Sequence, residues 1–338
     1  MFQIVSNNYA KLIVGLGMIG GCFAFRNFIN GPMASIPKDG NQMVGKIVLI
    51  TGVAEGGIGY ETARLILQHG ATVILAVRNT SKGQEAKSSL LKLTGKKEEM
   101  VKVMELDLED LSIVKQFAER FKEEYTRLDL LICNAGLYSE RPKLTKQNVE
   151  QNFGVNHLAN FYLCHMLMDC LIVSKTRVIV LSSKLHEYYT PKDGTFSNIE
   201  LFLNNDGSLL AENMYSRSKF ANVLFTKKLD RIFKEQDSSA DRAICVCVHP
   251  GLVKTNIVKS SEMSFTLFIV NKIMAIFSKD CIHGAQTTLH CAFLERSKLK
   301  GGSYYAECEE RPSNPLTLLE QTQDDLWKIS VSLCQKYL

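Results

Sequence analysis

Tyr215-Ser216-Arg217-Ser218-Lys219 sets a phenol and an ammonium group four residues apart, on one face of any helix that carries them. Held close together, such a pair can trade a proton with an alcohol or carbonyl oxygen. Tyr188 and Lys192 share the spacing, but Pro191 between them makes a regular helix unfavourable. Tyr215 and Lys219 instead lie in MYSRSKFANVLFTKKL, a sustained helical pattern directly before an apolar run. Two further groups fit the same chemistry. Ser183, closing RVIVLSS, would hydrogen-bond the reacting oxygen and hold it near the phenol. Its neighbour Ser182 is the competing choice, and strand alternation lets only one of the two face the site. Asn156, in FGVNHLANF, would hold a water that passes the proton through the lysine. Taken singly, each of these residue types is more often structural; the four together point to a site.

The elements that must position them are legible as alternation. KIVLIT (46–51), TVILAV (72–77), VKVMEL (101–106), LDLLIC (128–133), RVIVLS (177–182) and AICVCV (243–248) read as strands. Helical patterns separate them, the longest near 148–173 and 214–235. Short apolar strands between amphipathic helices predict a parallel sheet covered on both faces. With right-handed crossovers this is an α/β, Rossmann-like, doubly wound three-layer αβα sandwich, with its ligand outside the carboxyl ends of the strands.

The first strand runs into a glycine-rich turn, KIVLITGVAEGGIGYETA (46–63), in which Gly52, Gly56, Gly57 and Gly59 surround Ile58. In such a sheet the first strand–helix turn offers backbone N–H groups and a helix N-terminus to a pyrophosphate. Glycines there remove the Cβ atoms that would obstruct the close approach. An earlier stretch, IVGLGMIGG, also fits a GxGxxG fingerprint at Gly15, Gly17 and Gly20. It is followed by NGPMASIPKDGNQ, which holds Pro32 and Pro37 and no strand, so it is set aside as a decoy. The second strand ends at Arg78 rather than at an acid; an arginine there pairs with a 2′-phosphate and favours NADP(H), with Lys82 adding charge. Glu55, an acid in the turn, counts against that choice. Asp107, after the third strand, would either touch the adenine or cap a solvated helix. A free phenol titrates at about pH 10. One cation ~4 Å away contributes roughly 4 kcal/mol at an effective dielectric of 20, about three pKa units before solvent losses. Lys219, aided by a positive nicotinamide, is therefore expected to bring Tyr215 near neutrality.

The chain has 338 residues, enough for one domain of roughly 250–300 residues plus an appendage. A net charge of +5, with lysines alternating with acids as in GKKEEMVK, fits a solvated surface and no nucleic-acid partner. Ten cysteines form no CxxC pair or Cys/His cluster, so no metal is expected, and the folded part is read as facing a reducing cytosol. Residues 12–25, LIVGLGMIGGCFAF, are uninterrupted apolar, and as a helix they span only ~21 Å. Extended to 9–29 they reach roughly 31 Å, matching a ~30 Å hydrocarbon core. Residues 1–40 are thus read as an apolar membrane-anchor segment and linker, and 41–338 as a single catalytic domain. A cleaved signal peptide is set aside, because no small-residue cleavage site follows. Residues 264–277, SFTLFIVNKIMAIF, form either a core helix or an apolar lid that meets the membrane.

In order, the TG…GIG turn, NAG at 134–136, the Asn156 helix, Ser183, YxxxK at 215–219 and HPGLVKT at 249–255 resemble the short-chain dehydrogenase/reductase family over about residues 45–310. GVNHLANFYL, YSRSKFANVLFTKKL and GGSYYAEC…DDLWKIS are similar to its retinol dehydrogenase branch. The resemblance implies NADP(H) and catalytic roles for Asn156, Ser183, Tyr215 and Lys219, the last two also touching the cofactor. It places Asn134, Ala135 and Gly136 beside the cofactor, Pro250, Gly251 and Val253 along the nicotinamide, and Thr255 near its amide or phosphate. It also implies homo-oligomers and a lipophilic substrate: a retinoid, steroid, long-chain or polyprenoid alcohol or carbonyl. The expected location is the endoplasmic reticulum membrane with the domain facing the cytosol, the mitochondrial and lipid-droplet membranes being alternatives. A catalytically weak NADP(H)-binding sensor or scaffold on the same fold is the rival function. Three features depart from the pattern. Four residues, not three, separate Gly52 from Gly57; Ala159-Asn160 stands where the branch has Gly-His; and 31 residues separate Ser183 from Tyr215.

Overall fold

A computed structural model describes residues 29–139, 143–190, 196, 200–203, 211–254 and 278–337. The six apolar runs all form strands: β1 (Ile47–Thr51), β2 (Thr72–Val77), β3 (Val101–Glu105), β4 (Leu130–Cys133), β5 (Arg177–Leu181) and β6 (Ile244–His249). Two short strands absent from the sequence reading, β7 (Tyr304–Ala306) and β8 (Glu309–Arg311), complete the sheet. Its order is β3-β2-β1-β4-β5-β6-β7-β8, parallel except for the antiparallel β7–β8 pair. Winding reverses between β1 and β4, and such a switch point opens a crevice at the strands' carboxyl ends.

Both faces of the sheet are covered. Along β1, Val48 and Ile50 pack into one core with Ile66 and Leu67, whereas Leu49 joins the other with Phe117 and Phe225. All three are fully buried, which explains why β1 reads as continuous apolar rather than alternating. One layer includes α1 (Ile58–Gln68) and α2 (Thr80–Thr94); the other includes α3 (Leu111–Glu124).

The helix expected over 148–173 is interrupted. It runs as α4 (Gln151–Phe153), one wide π turn (Gly154–Leu158), α5 (Ala159–Met166) and α6 (Met168–Val173). A π turn adds one residue to a helical ring and is frequent at functional sites. Here it centres on Asn156, and Asn160 Nδ2 donates to the Asn156 main-chain oxygen at 3.1 Å. Beyond α7 (Glu200–Leu203) comes the long helix α8 (Ala211–Gln236), which carries Tyr215 and Lys219.

At the opposite end of the sheet, Asp129 joins β1 to β4. Its carboxylate accepts from Ile47 N at 2.9 Å, Lys46 Nζ at 3.0 Å and the Arg127 guanidinium. Burial alone would raise its pKa, but the bonds from Arg127, Ile47 and Lys46 outweigh it and leave the carboxyl below its ordinary value. An unfolded aspartate titrates at about 3.9. The stabilisation is therefore complete above that value and lost as pH falls through the lower folded one. Asp129→Asn is expected to flatten the acid limb of unfolding free energy against pH, read by urea titrations between pH 3 and 7.

Among the described residues no helix is long and apolar enough to cross a membrane, and no cluster of His, Cys, Asp or Glu could hold a metal ion. Most of the expected anchor, residues 9–28, lies outside the described residues, as does 264–277. The linker end does pack on the domain: Asn30 is buried, and Ala34 N donates to Gln286 Oε1 at 3.0 Å.

Candidate active site

A cavity of about 380 Å³ follows the strands' carboxyl ends from Arg78 past the glycine turn to Tyr215 and Lys219. Its floor is built by hydrogen bonds between the ends of β1 and β4, neighbours in the sheet. Asn134 Nδ2 donates to Thr51 O at 2.8 Å and Gly52 O at 3.1 Å, and Ala135 N donates to Thr51 Oγ1 at 3.0 Å. Gly52 has φ +71°, and a Cβ there would lie 2.8 Å from Ala135 Cα. That contact explains why glycine is required where the turn meets the NAG loop.

The extra residue is taken up in a tight turn, Gly57 N donating to Ala54 O at 3.0 Å. Gly56 sits at its corner with φ +73° and open space around it, so its glycine serves the backbone angle alone. Glu55 is held to the side by Ser89 Oγ at 2.9 Å. Gly57 then begins α1 without a side-chain cap. A helix N-terminus left uncapped behind a cradle that Cβ atoms would fill fits a pyrophosphate.

At the far end Arg78 is exposed and pairs with Glu109 at 2.7 Å, and Asp107 lines the same region while accepting from Glu109 N at 2.9 Å. Asp110, not Asp107, caps α3, accepting from Ser112 N. Ile58, Gly59, Gly136 and Pro250 also line the cavity. Gly251 and Val253 do not line the cavity; Val253 forms a bridge with Lys279. Thr255 lies outside the described residues.

At the near end the two serines divide as alternation predicts. Ser182 Oγ turns inward to Lys219 O at 2.7 Å, whereas Ser183 Oγ accepts from Leu185 N at 3.2 Å and lies near enough to the Tyr215 phenol to lower its pKa. Lys219 is buried, its Nζ donating to Leu181 O at 3.2 Å and lying 5.5 Å from the Tyr215 ring centroid. Burial brings the lysine down to about 8, with the Cys247 thiol opposing.

One expectation needs correction where the protein groups alone are concerned. Tyr215 is pushed up to about 12: burial is the main cause, and Tyr138 adds to it while Ser183 offsets part. The ammonium at this distance does not overcome the desolvated phenol, so protein groups alone leave Tyr215 protonated at neutrality. Asn156 is tied into the protein through its side chain. Its Oδ1 accepts from Leu137 N at 2.7 Å, and both Nδ2 hydrogens are used, by Leu137 O at 2.9 Å and Ser218 Oγ at 3.0 Å. The side chain pins the loop after β4 to α8, its Oδ1 keeping a second lone pair for a further donor.

Several neighbours escape a sequence reading. The Tyr138 ring meets Tyr215 edge-on at 5.5 Å, and Asn222 Nδ2 shares the Leu181 carbonyl with Lys219 at 3.0 Å. Asn222 lies three residues after Lys219, a helical spacing that could have flagged it. Tyr138 gives no such signal.

A sequence profile of the short chain dehydrogenase family matches residues 46–197. Human WW domain-containing oxidoreductase is 36% identical over 304 residues, covering 88% of this chain and 70% of that protein. Human retinol dehydrogenase 12 is 34% identical over 337 residues, covering 95% and 98%. A solved structure of an uncharacterized protein from Mycobacterium Paratuberculosis superposes with a TM-score of 0.69 at 29% identity, covering 90% of this chain and 98% of that one. A short chain dehydrogenase from Shigella flexneri 2a, complexed with NADP, shares the fold at TM-score 0.56 and 21% identity, covering 80% and 99%. With retinol dehydrogenases 12 and 14 matched along nearly their whole length and the glycine turn, NAG loop and YxxxK helix meeting in one cleft, this chain belongs to the short-chain dehydrogenase/reductase family, in its retinol dehydrogenase-like branch.

Proposed function

We propose that this chain is an NADP(H)-dependent oxidoreductase that interconverts a lipophilic alcohol and its aldehyde or ketone. One observation carries the reading: the Tyr215 phenol, with Ser183 near it, and the Lys219 ammonium meet at one end of the cleft that starts at the glycine turn, Tyr215 and Lys219 lining it. A bound nicotinamide supplies the hydride that the protein cannot. Gly52, Gly57 and the α1 N-terminus would hold its pyrophosphate, with Asn134, Ala135, Gly136 and Pro250 flanking the rest. Ser183 holds the substrate oxygen, Tyr215 gives that oxygen its proton, and Lys219 stabilises the phenolate left behind. A phenol that stays neutral at pH 7 is already in the acid form, which suits carbonyl reduction.

Lys219 fixes the expected pH dependence. Its pKa is lowered from 10.5 to about 8, so the ammonium is lost as pH rises through that value. The kcat for carbonyl reduction should be level below it and fall above it. A profile still level at pH ~9.5 would remove Lys219 from the chemistry.

Arg78 supports the choice of NADP(H). The reading is tested with lipophilic carbonyls (retinoid, steroid, long-chain and polyprenoid) supplied with NADPH and with NADH. Arg78→Ala should raise KM for NADPH about tenfold, the low end for a charge-assisted bond at an exposed site, and leave NADH unchanged. Equal rates with both cofactors in the parent protein would overturn the role of Arg78. NADPH binding without turnover, indifferent to Tyr215→Phe, would favour a sensor or scaffold.

The apolar 9–29 stretch supports a membrane anchor within residues 1–40, ahead of a catalytic domain at 41–338. The scattered cysteines support a cytosol-facing domain on the endoplasmic reticulum or another organelle membrane. Release of the full chain from membranes by alkaline extraction would count against the anchor.

A further inference from the structure

Arg217 is among the largest fully buried side chains and pairs, Nη2 to Oε2 at 3.3 Å, with Glu150, each residue 1% exposed. Nothing in the proton transfer uses either charge. Taking two ions out of water costs enough that apolar packing often stabilises as well or better, so their value here is sought in geometry. A helix turns about 100° per residue, and Arg217 lies two residues from both Tyr215 and Lys219. It therefore projects from the side of α8 facing away from the cleft, and the pair acts on the rotation of that helix about its own axis.

Glu150 carries the constraint onward. Its Oε1 accepts from Asn152 N at 2.7 Å and Asn152 Nδ2 at 2.8 Å, and its Oε2 accepts from Phe153 N at 3.0 Å, which caps α4. Asn152 Oδ1 accepts from Ser139 N at 3.0 Å, and its Nδ2 donates to Ser139 O at 3.3 Å. Two residues back, Leu137 exchanges both main-chain bonds with Asn156. Asn156 donates to Ser218 Oγ, which donates to Tyr215 O at 2.7 Å. The chain of bonds leaves α8 at Arg217 and returns to it at Ser218. It encloses the loop whose Gly136, given a methyl group, would lie 3.3 Å from Lys219 Nζ.

We propose that the Glu150–Arg217 pair is a positioning device: this closed ring fixes how Tyr215 and Lys219 are presented to the loop after β4. The catalytic part of the inference rests on the function proposed above. Full-length Glu150→Gln, Arg217→Met and the double variant test it. Glu150→Gln keeps an oxygen to cap α4 and carries the test should Arg217→Met not fold. In folded protein, kcat for carbonyl reduction should fall about 10- to 100-fold while KM for NADPH stays within about threefold, and the double variant should lose no more than the worse single one. A lowered melting temperature with kcat within twofold of the parent would reduce the pair to a structural role and overturn the proposal. Amide hydrogen exchange reads the ring without turnover. Leu137 and Ser139 should exchange at least tenfold faster in Glu150→Gln, while the Leu90 amide keeps its rate; unchanged protection at both would overturn positioning even if the parent reduces no carbonyl.

Discussion

Tyr215→Phe is expected to lower kcat by about 10²- to 10⁴-fold, the range general acid catalysis contributes, with NADPH affinity nearly unchanged. The substitution removes one oxygen from a ring that keeps its edge-on contact with Tyr138, so little packing is lost. Ser183 lies near the hydroxyl it removes, and Ser183→Ala should give a smaller loss, because the phenol remains to supply the proton. Steady-state rates beside a fluorescence titration with NADPH separate chemistry from binding. A kcat within threefold of the parent would remove Tyr215 as the acid.

The second large effect is expected at the turn, where two glycines with nearly the same backbone angle should respond differently. Gly52 and Gly56 have φ +71° and +73°, so a side chain at either costs roughly 1–2 kcal/mol in backbone strain. At Gly56 that is the whole cost, because nothing lies within 4 Å of the added methyl. At Gly52 the methyl meets the Ala135 backbone at 2.8 Å, adding about 1–3 kcal/mol of overpacking. Gly52→Ala should therefore lose about 2–5 kcal/mol and most of its NADPH affinity, whereas Gly56→Ala keeps its affinity within severalfold. Urea unfolding and the NADPH titration check both. Equal losses at the two positions would mean that the NAG loop does not press on the turn.

What was legible in the sequence is what short-range chemistry dictates. Six apolar runs became six strands in the expected winding; strands buried on both faces, such as β1, must be apolar almost throughout, and only β3, at the edge of the sheet, exposes Lys102 and Glu105. Tyr215 and Lys219 share a helix face by covalent spacing alone, and the two serines just after β5 part company by the alternation of extended backbone. The strands β7 and β8, three residues each, are too short to show a period.

Other features depend on residues far apart in the chain. The helix through Asn156 could be read, but its π turn could not: the wide turn surrounds a side chain drawn to Leu137 and Ser218, the latter 62 residues away. Arg217 reads as an ordinary charged helix position until Glu150, 67 residues earlier, is placed against it. Arg78 looks free to meet a phosphate, yet Glu109 already holds it. Tyr215 was expected near neutrality with the lysine and a positive nicotinamide beside it, but burial, a property of the packed molecule, leaves it near 12 with the protein groups alone. The sequence by itself determined the order of the elements and the identity of the reactive groups, because periodicity and spacing are local. Only the tertiary structure decided which partners those groups hold and how acidic they are, because desolvation and long-range hydrogen bonds arise only when the layers close.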